Sequence, residues 1–305
     1  MRAIHVHAYG QSPVLDGDVP DPVAGDGQLV VRVAATSVNP WEIKVASGMF
    51  RDSVPMTLPY VPGSDFAGTV EVVGPGVTGF KVGQRVFGHA DVGSYAERIA
   101  APAATTSPLP PNFDDATAAA IPLAGQTAWQ GVIEHGQLRS GQTVLIHGAS
   151  GGVGSLAVQF AKHVGARVIA TGSGDSLDFL RSLGADGVVD YRAARFEDAA
   201  SDVDLVLDLI GGETQARSFA VLKAGGRLIS TVQPPSPDEA ARHRVSAMVM
   251  GMTPTAARLT RIGELVASGS VRVPIDRTFP LAQVADAWQH QQKARPKGKV
   301  VLSVG

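Results

Sequence analysis

The chain has 305 residues, long enough for two domains, and its 44% hydrophobic and 18% charged content is ordinary for a globular protein, which excludes disordered and fibrous classes. Its 26 basic and 28 acidic residues are interspersed, so the formal net charge of −2 offers no single-sign field to nucleic acid or an anionic membrane, and neither partner is expected. The absence of cysteine removes disulfides, thiol nucleophiles and thiolate metal sites; with no bilayer-length apolar run and no signal-peptide pattern, a soluble, cytoplasmic protein is expected.

Residues 1 to about 110 read as short strands at 3–7, 28–34, 68–73, 85–88 and 94–99. Turn signals at Asp16-Gly17, Asp26-Gly27 and Gly74-Pro75-Gly76 separate them, the pattern of a small antiparallel barrel or sandwich. His5 and His7 share one face of the first strand; two ligands make no zinc site, so ordinary strand partners are expected for both. The proline-rich stretch from Pro102 to Pro111 breaks any regular element, and Asp114 and Asp115 open a helix, which puts a domain boundary near residue 115.

From residue 116 the rhythm changes. Apolar runs at 143–147, 167–171, 187–189, 203–210 and 227–232 alternate with helical stretches at 156–164, 176–183 and 214–222, which predicts a doubly wound parallel sheet. Gly165, Gly184 and the pair Gly225-Gly226 stand where helices end. After the connector Gln233-Pro-Pro-Ser-Pro237, residues 238–269 read as mainly helical, and a helix at 282–292 precedes a closing strand at 298–302.

The first strand of the predicted sheet runs into Gly148-Ala-Ser-Gly-Gly-Val-Gly154 and then into a helix. Such a turn leaves backbone N–H groups at a helix N-terminus, where a pyrophosphate fits. Ala149-Ser-Gly151-Gly-Val-Gly154 has the A-x-G-x-x-G form of the dinucleotide fingerprint, with Gly151 admitting the phosphates and Gly154 allowing close helix–strand packing. The same residues spell G-x-S-x-G, a nucleophile elbow in which Ser150 would attack an ester, and a turn that binds nothing is a third reading. The flanking sequence favours the first, because a glycine-rich β domain stands where a hydrolase would need α/β alternation and an oxyanion loop.

An ordered set of segments then carries a resemblance: Tyr9-Gly10, Asn39-Pro40, Val61-Pro-Gly-Ser-Asp-Phe-Ala-Gly-Thr-Val70, Val82-Gly-Gln-Arg-Val-Phe-Gly88, Gly125-Gln-Thr-Ala-Trp129, the glycine turn, Leu183-Gly-Ala-Asp186, Val189-Asp-Tyr191, Leu207-Asp-Leu-Ile-Gly-Gly212, Phe279-Pro-Leu281 and Gly298-Lys299. Together they resemble the zinc-independent, quinone oxidoreductase-like medium-chain dehydrogenases/reductases. The resemblance implies an α/β protein in which a GroES-like β-barrel, 1–115 completed by 265–305, carries an inserted Rossmann domain at 116–264. It implies no catalytic metal: zinc-dependent relatives use a cysteine near Asn39 and a histidine–glutamate pair where this chain has Ser64-Asp65.

For the cofactor the resemblance implies Thr127 on the nicotinamide side and Gly148, Ala149, Ser150, Gly151, Gly152 and Val153 around the phosphates, with Ile210 and Val232 completing the set. The second strand ends on Thr171 and Ser173 without the carboxylate that favours NADH, and Tyr191 and Arg192 suit a 2′-phosphate, so NADPH is preferred over NADH although Asp175 opposes it. Asn39 and Tyr60 are the expected catalytic residues, Tyr60 as a donor to the acceptor oxygen; Glu42 and Lys44 are expected to form a surface ion pair. Without a metal, developing charge must be met by hydrogen bonds, which suits quinones and α,β-unsaturated carbonyls better than simple ketones. The expected activity is NADPH-dependent reduction of such small molecules by a homodimer or homotetramer; the rival is a dinucleotide-binding protein with little turnover and a redox-sensing role.

Overall fold

The computed structural model describes all 305 residues, Met1–Gly305, and they form two compact units. The first comprises Met1–Ala124, Pro254–Gly269 and Ile275–Gly305, and the second Gly125–Thr253 and Ser270–Pro274. The divisions fall about ten residues from the expected ones, at 124/125 rather than 115/116 and at 253/254 rather than 264/265.

In the first unit, strands β1 (Ala3–His5) and β2 (Val14–Asp16) form a two-stranded antiparallel ribbon. The barrel is built from β3 (Gln28–Val38), β4 (Asp65–Val73), β5 (Arg85–His89), β6 (Arg98–Pro102) and β7 (Thr106–Pro108). A short helix α1 (Pro40–Ala46) follows β3, which the strand-rich reading did not anticipate, and α2 (Asp115–Ala119) is capped by the Asp114 carboxylate on Thr117 N–H at 2.6 Å.

Beyond α3 (Pro122–Trp129), the second unit carries β8 (Thr143–Ile146), α4 (Gly152–His163), β9 (Arg167–Gly172), α5 (Leu177–Ser182), β10 (Gly187–Asp190), β11 (Val203–Asp208), α6 (Gly212–Ser218), β12 (Leu222–Ser230), α7 (Pro237–His243) and β13 (Ser246–Val249). Its strands are all parallel in the order β10-β9-β8-β11-β12-β13, so the chain order reverses beside β8, the place where open sheets of this kind bind ligands. Strand β13 interrupts the stretch 238–269, which is otherwise mainly helical as expected, with α7 and a further helix at Ala256–Ala267. Four residues are too few for a periodic signal, and this edge strand is defined by pairing with Arg227–Ser230 of β12 rather than by burial.

The chain then returns to the first unit with α8 (Ala256–Ala267), β14 (Ile275–Pro280), α9 (Val284–Lys293) and β15 (Lys299–Ser303). Strand β3 is 11 residues long: its first half pairs with β6 and its last four residues with β15, in the register Val300↔Val38. The C-terminal strand therefore completes the barrel, and Lys299 is set beside Asn39.

Candidate active site and dinucleotide cradle

Four polar side chains are buried together in the first unit: Asn39, Glu42, Asp65 and Lys299, all under 5% exposed. Asn39 sits at their centre. Its Nδ2 donates to Glu42 Oε1 and to Asp65 Oδ2, both at 2.9 Å, and its Oδ1 accepts from Lys299 Nζ. Asp65 Oδ2 also accepts from Ser37 Oγ at 2.6 Å, its Oδ1 accepts from Leu123 N–H at 2.7 Å, and Lys299 Nζ stands 3.7 Å from Oδ2. His89 Nδ1 lies 3.8 Å from Asp65 Oδ1, beyond hydrogen-bond range.

Glu42 is therefore not half of a surface ion pair with Lys44. It occupies the third position of α1, and its Oε2 accepts the Asn39 N–H at 2.9 Å, which turns the side chain back over the helix start and inward, while Lys44 stays exposed. Burial pushes the Glu42 carboxyl up to about 7, and the Asp65 charge adds to the rise. Burial raises Asp65 as well, but the His89 ring, the Lys299 ammonium and the Ser37 hydroxyl outweigh it and hold the carboxyl below its ordinary value. Lys299 is lowered by burial against the pull of the two carboxylates. The three ionisable groups, Glu42, Asp65 and Lys299, interact through Asn39, and Glu42 is the one pushed up to about 7.

Two consequences follow for the expected catalytic residues. Both amide hydrogens and the carbonyl of Asn39 are engaged, so its side chain holds the network together. The Tyr60 hydroxyl is buried and has no hydrogen-bond partner, and Tyr60 lines a narrow cleft with Trp41, Glu42, Val45 and Pro62. Burial pushes the phenol up to about 12, so it is a hydrogen-bond donor at working pH and a poor source of a proton.

In the second unit the glycine turn joins β8 to α4 as expected. Gly148 has φ +67°, and a Cβ there would meet Ile210 Cδ1 at 3.0 Å. A Cβ on Gly154 would stand 2.4 Å from Gly148 O, so only glycine lets the helix pack this close to the turn. A Cβ on Gly151 would meet nothing closer than Gly148 O at 3.7 Å. The helix thus starts at an open face, with the N–H groups of Gly152 and Val153 in its first turn beyond the reach of any intrahelical acceptor. Ser150 is half-buried there. The buried ring of His147 is committed through Nδ1 to Thr171 Oγ1 at 3.1 Å and through Nε2 to Ser218 Oγ at 3.0 Å, so it is no base for Ser150, and the nucleophile-elbow reading falls.

The loops around this turn come from the same edge of the sheet. Asp208, fully buried at the end of β11, accepts from Ile210 N–H and Gly211 N–H through Oδ1 and from Gln215 Nε2 and Ser230 Oγ through Oδ2, at 2.8–3.0 Å. Ser230 Oγ in turn accepts from Val232 N–H at 3.2 Å. One carboxylate thereby sets both loops that carry Ile210 and Val232, which are 53% and 42% exposed, large apolar side chains in open view beside the turn. Asp208 lies within Leu207-Asp-Leu-Ile-Gly-Gly212, one of the segments that carry the family resemblance, but its residue type alone does not signal this role.

Beyond β9, Ser173 is buried, Asp175 is exposed, and Tyr191 is 52% exposed with the Arg192 guanidinium 5.7 Å from its ring centroid. Asp190 Oδ1 accepts the Arg192 N–H at 3.0 Å, and its Oδ2 would stand 2.7 Å from a Cβ on Gly174, so a second carboxylate flanks the end of β9. Thr171 is tied to His147, and Thr127 is buried on α3.

Residues 25–111 match the alcohol dehydrogenase GroES-like domain, and residues 183–302 match a family described as zinc-binding dehydrogenase. Over 99% of the chain the sequence is 34% identical to a tomato (Solanum lycopersicum) 2-methylene-furan-3-one reductase and 33% identical to a chloroplastic NADPH-dependent alkenal/one oxidoreductase of Arabidopsis thaliana, covering 79% of each. A quinone oxidoreductase structure from Coxiella burnetii superposes with a TM-score of 0.91 at 30% identity, over 100% of this chain and 99% of that one. No helix is long and apolar enough to cross a membrane.

The titration of Glu42 has a measurable sign. Its folded value, about 7, lies above the ordinary 4.5, so its protonation stabilises the fold fully below about pH 4.5 and is lost as pH rises through 7, a difference of about 3 kcal/mol. Urea midpoints between pH 4.5 and 8 are expected to fall more steeply for the wild type than for Glu42→Gln, which carries no proton to lose; parallel curves would show that Glu42 does not titrate in this window.

Proposed function

Because the chain belongs to the medium-chain dehydrogenase/reductase family, among its quinone and alkenal oxidoreductases, we propose that it is an NADPH-dependent, metal-free reductase of quinones or α,β-unsaturated carbonyls. The observation that carries the reading is the open helix start at Gly151, ringed by loops that leave Ile210 and Val232 exposed: a phosphate cradle beside an apolar surface of the kind a dinucleotide covers.

Bound NADPH would supply a hydride from C4 of its nicotinamide, and the remaining tasks belong to the protein. Backbone N–H groups of Gly152 and Val153 would hold the pyrophosphate, and Ser173, Tyr191 and Arg192 would receive the 2′-phosphate, with Arg192 supplying the positive charge that Asp175 and Asp190 oppose. As hydride adds to the β-carbon of an enone or to a quinone, negative charge appears on the acceptor oxygen. The uncommitted Tyr60 hydroxyl is the donor that meets it, and solvent supplies the proton at the α-carbon. Asn39 is a positioning residue: it holds Glu42, Asp65 and Lys299 in one arrangement.

The donor set argues for chemistry without a metal. The positions that resemble the zinc ligands of relatives are Asn39 and Ser64-Asp65, and there Asn39 and Asp65 already satisfy one another, with the Lys299 ammonium beside them as the local cation. We further propose that two copies pair through the outer edge of β13, whose Met248 and Val249 are 38% and 42% exposed on an unpaired strand edge. Sedimentation at twice 31.6 kDa is expected, and a monomer at micromolar concentration would contradict the pairing.

Stopped-flow loss of NADPH absorbance against a panel of quinones and enones tests the activity. Turnover is expected on enones or quinones and not on simple ketones; tight NADPH binding without turnover on any acceptor would instead favour a dinucleotide-binding role. In the same assay Tyr60→Phe should lower kcat on the order of tenfold to a hundredfold with little change in NADPH affinity. Arg192→Ala should raise KM for NADPH about tenfold and leave KM for NADH unchanged.

A further inference from the structure

The β1–β2 ribbon brings together three groups that the sequence holds apart. His5 Nδ1 lies 2.7 Å from Asp16 Oδ2, and His7 Nε2 lies 3.0 Å from the same oxygen. All three ligand atoms are within 4.8 Å of one another. The register explains the first contact: His5 pairs with Val14, so Asp16, two residues on, is its diagonal neighbour on the same face; His7 lies just past the end of β1 and reaches the same oxygen from there. The expectation of ordinary strand partners for the histidines rested on there being only two ligands; the paired strand supplies a third.

We propose that His5, His7 and Asp16 form a binding site for a borderline divalent transition metal, with zinc as the reference ion. Two imidazoles and one carboxylate are ligand types that zinc, nickel and copper share, whereas magnesium and calcium favour all-oxygen sets. At metal–ligand bonds of about 2.0–2.1 Å, tetrahedral ligands stand about 3.3 Å apart, so the two observed separations need open by well under 1 Å. Side-chain exposure rises from 15% at His5 through 34% at Asp16 to 48% at His7, so the set has a buried wall and a solvent side on which water completes the coordination. Binding exchanges two imidazole–carboxylate hydrogen bonds for three coordinate bonds and fastens β1 to β2. None of the three ligands belongs to the buried network around Asn39.

The test is titration of tag-free, chelator-treated protein with zinc by calorimetry, repeated with cobalt to read d–d absorption bands. The wild type is expected to bind one equivalent saturably, with a raised Tm in zinc and a cobalt spectrum of low coordination number. His7→Gln, a change at a half-exposed side chain, and Asp16→Asn should each weaken affinity at least tenfold and abolish the Tm shift, since losing a ligand costs no less than losing a group that orients one. Circular dichroism of each variant in metal-free buffer confirms that the fold is retained. Failure of the wild type to bind one saturable equivalent would overturn the proposal, as would undiminished affinity in the variants.

Discussion

The structure of the first unit depends on a buried charge that its own sheet closes over. Lys299 opens the last strand, β15, and pairing of that strand with the end of β3 carries the ammonium, 3% exposed, to Asn39 Oδ1, Val38 O and the Asp65 carboxylate. An unpaired ammonium at this depth would cost several kcal/mol, so the lysine is tolerable only if the strand, the asparagine and the aspartate arrive together. About 260 residues of chain separate the two ends of this contact. Barrel closure and assembly of the candidate active site are therefore one event.

In the second unit the corresponding organiser is Asp208. Four donors converge on its carboxylate from two loops, and those loops flank the glycine turn at the carboxyl edge of the sheet. His147, held neutral by burial that lowers it to about 4, cross-links the end of β8 to β9 and α6 through Thr171 and Ser218. Asp208 and His147 each satisfy buried polar groups beside the cradle, and its open face is the one at Gly151.

Much of this was legible in the sequence because backbone chemistry writes itself into local composition. The glycine turn needs positive φ at Gly148 and no side chain at Gly154, and the alternation of apolar runs with glycine-ended helices announces a parallel sheet. The parts that escaped depend on pairing across long separations or on the direction of a side chain. Glu42 reads as a surface acid beside Lys44 until α1 turns it inward. Asp16 is one acid among many until strand register sets it against His5, where the His7 ring also reaches it. Strand β13 has no periodicity of its own, and Asp190 reads as a strand-end residue until β10 pairs with β9 and sets it opposite Gly172. Residue types and spacing cannot convey these, because each is decided by what another part of the chain places beside them.

In the proposed reaction a hydride moves from NADPH to an electron-poor acceptor, with the Tyr60 hydroxyl giving a hydrogen bond to the acceptor oxygen and solvent giving the proton. The most direct measurement is isotope transfer: incubate the protein with an enone and NADPH deuterated at C4 and locate the label in the product. One deuterium is expected at the β-carbon when the transferred position is labelled, and in D₂O with unlabelled NADPH one deuterium at the α-carbon alone. Deuterium at the β-carbon drawn from solvent, or an enone left unreduced while NADPH remains bound, would contradict this reaction.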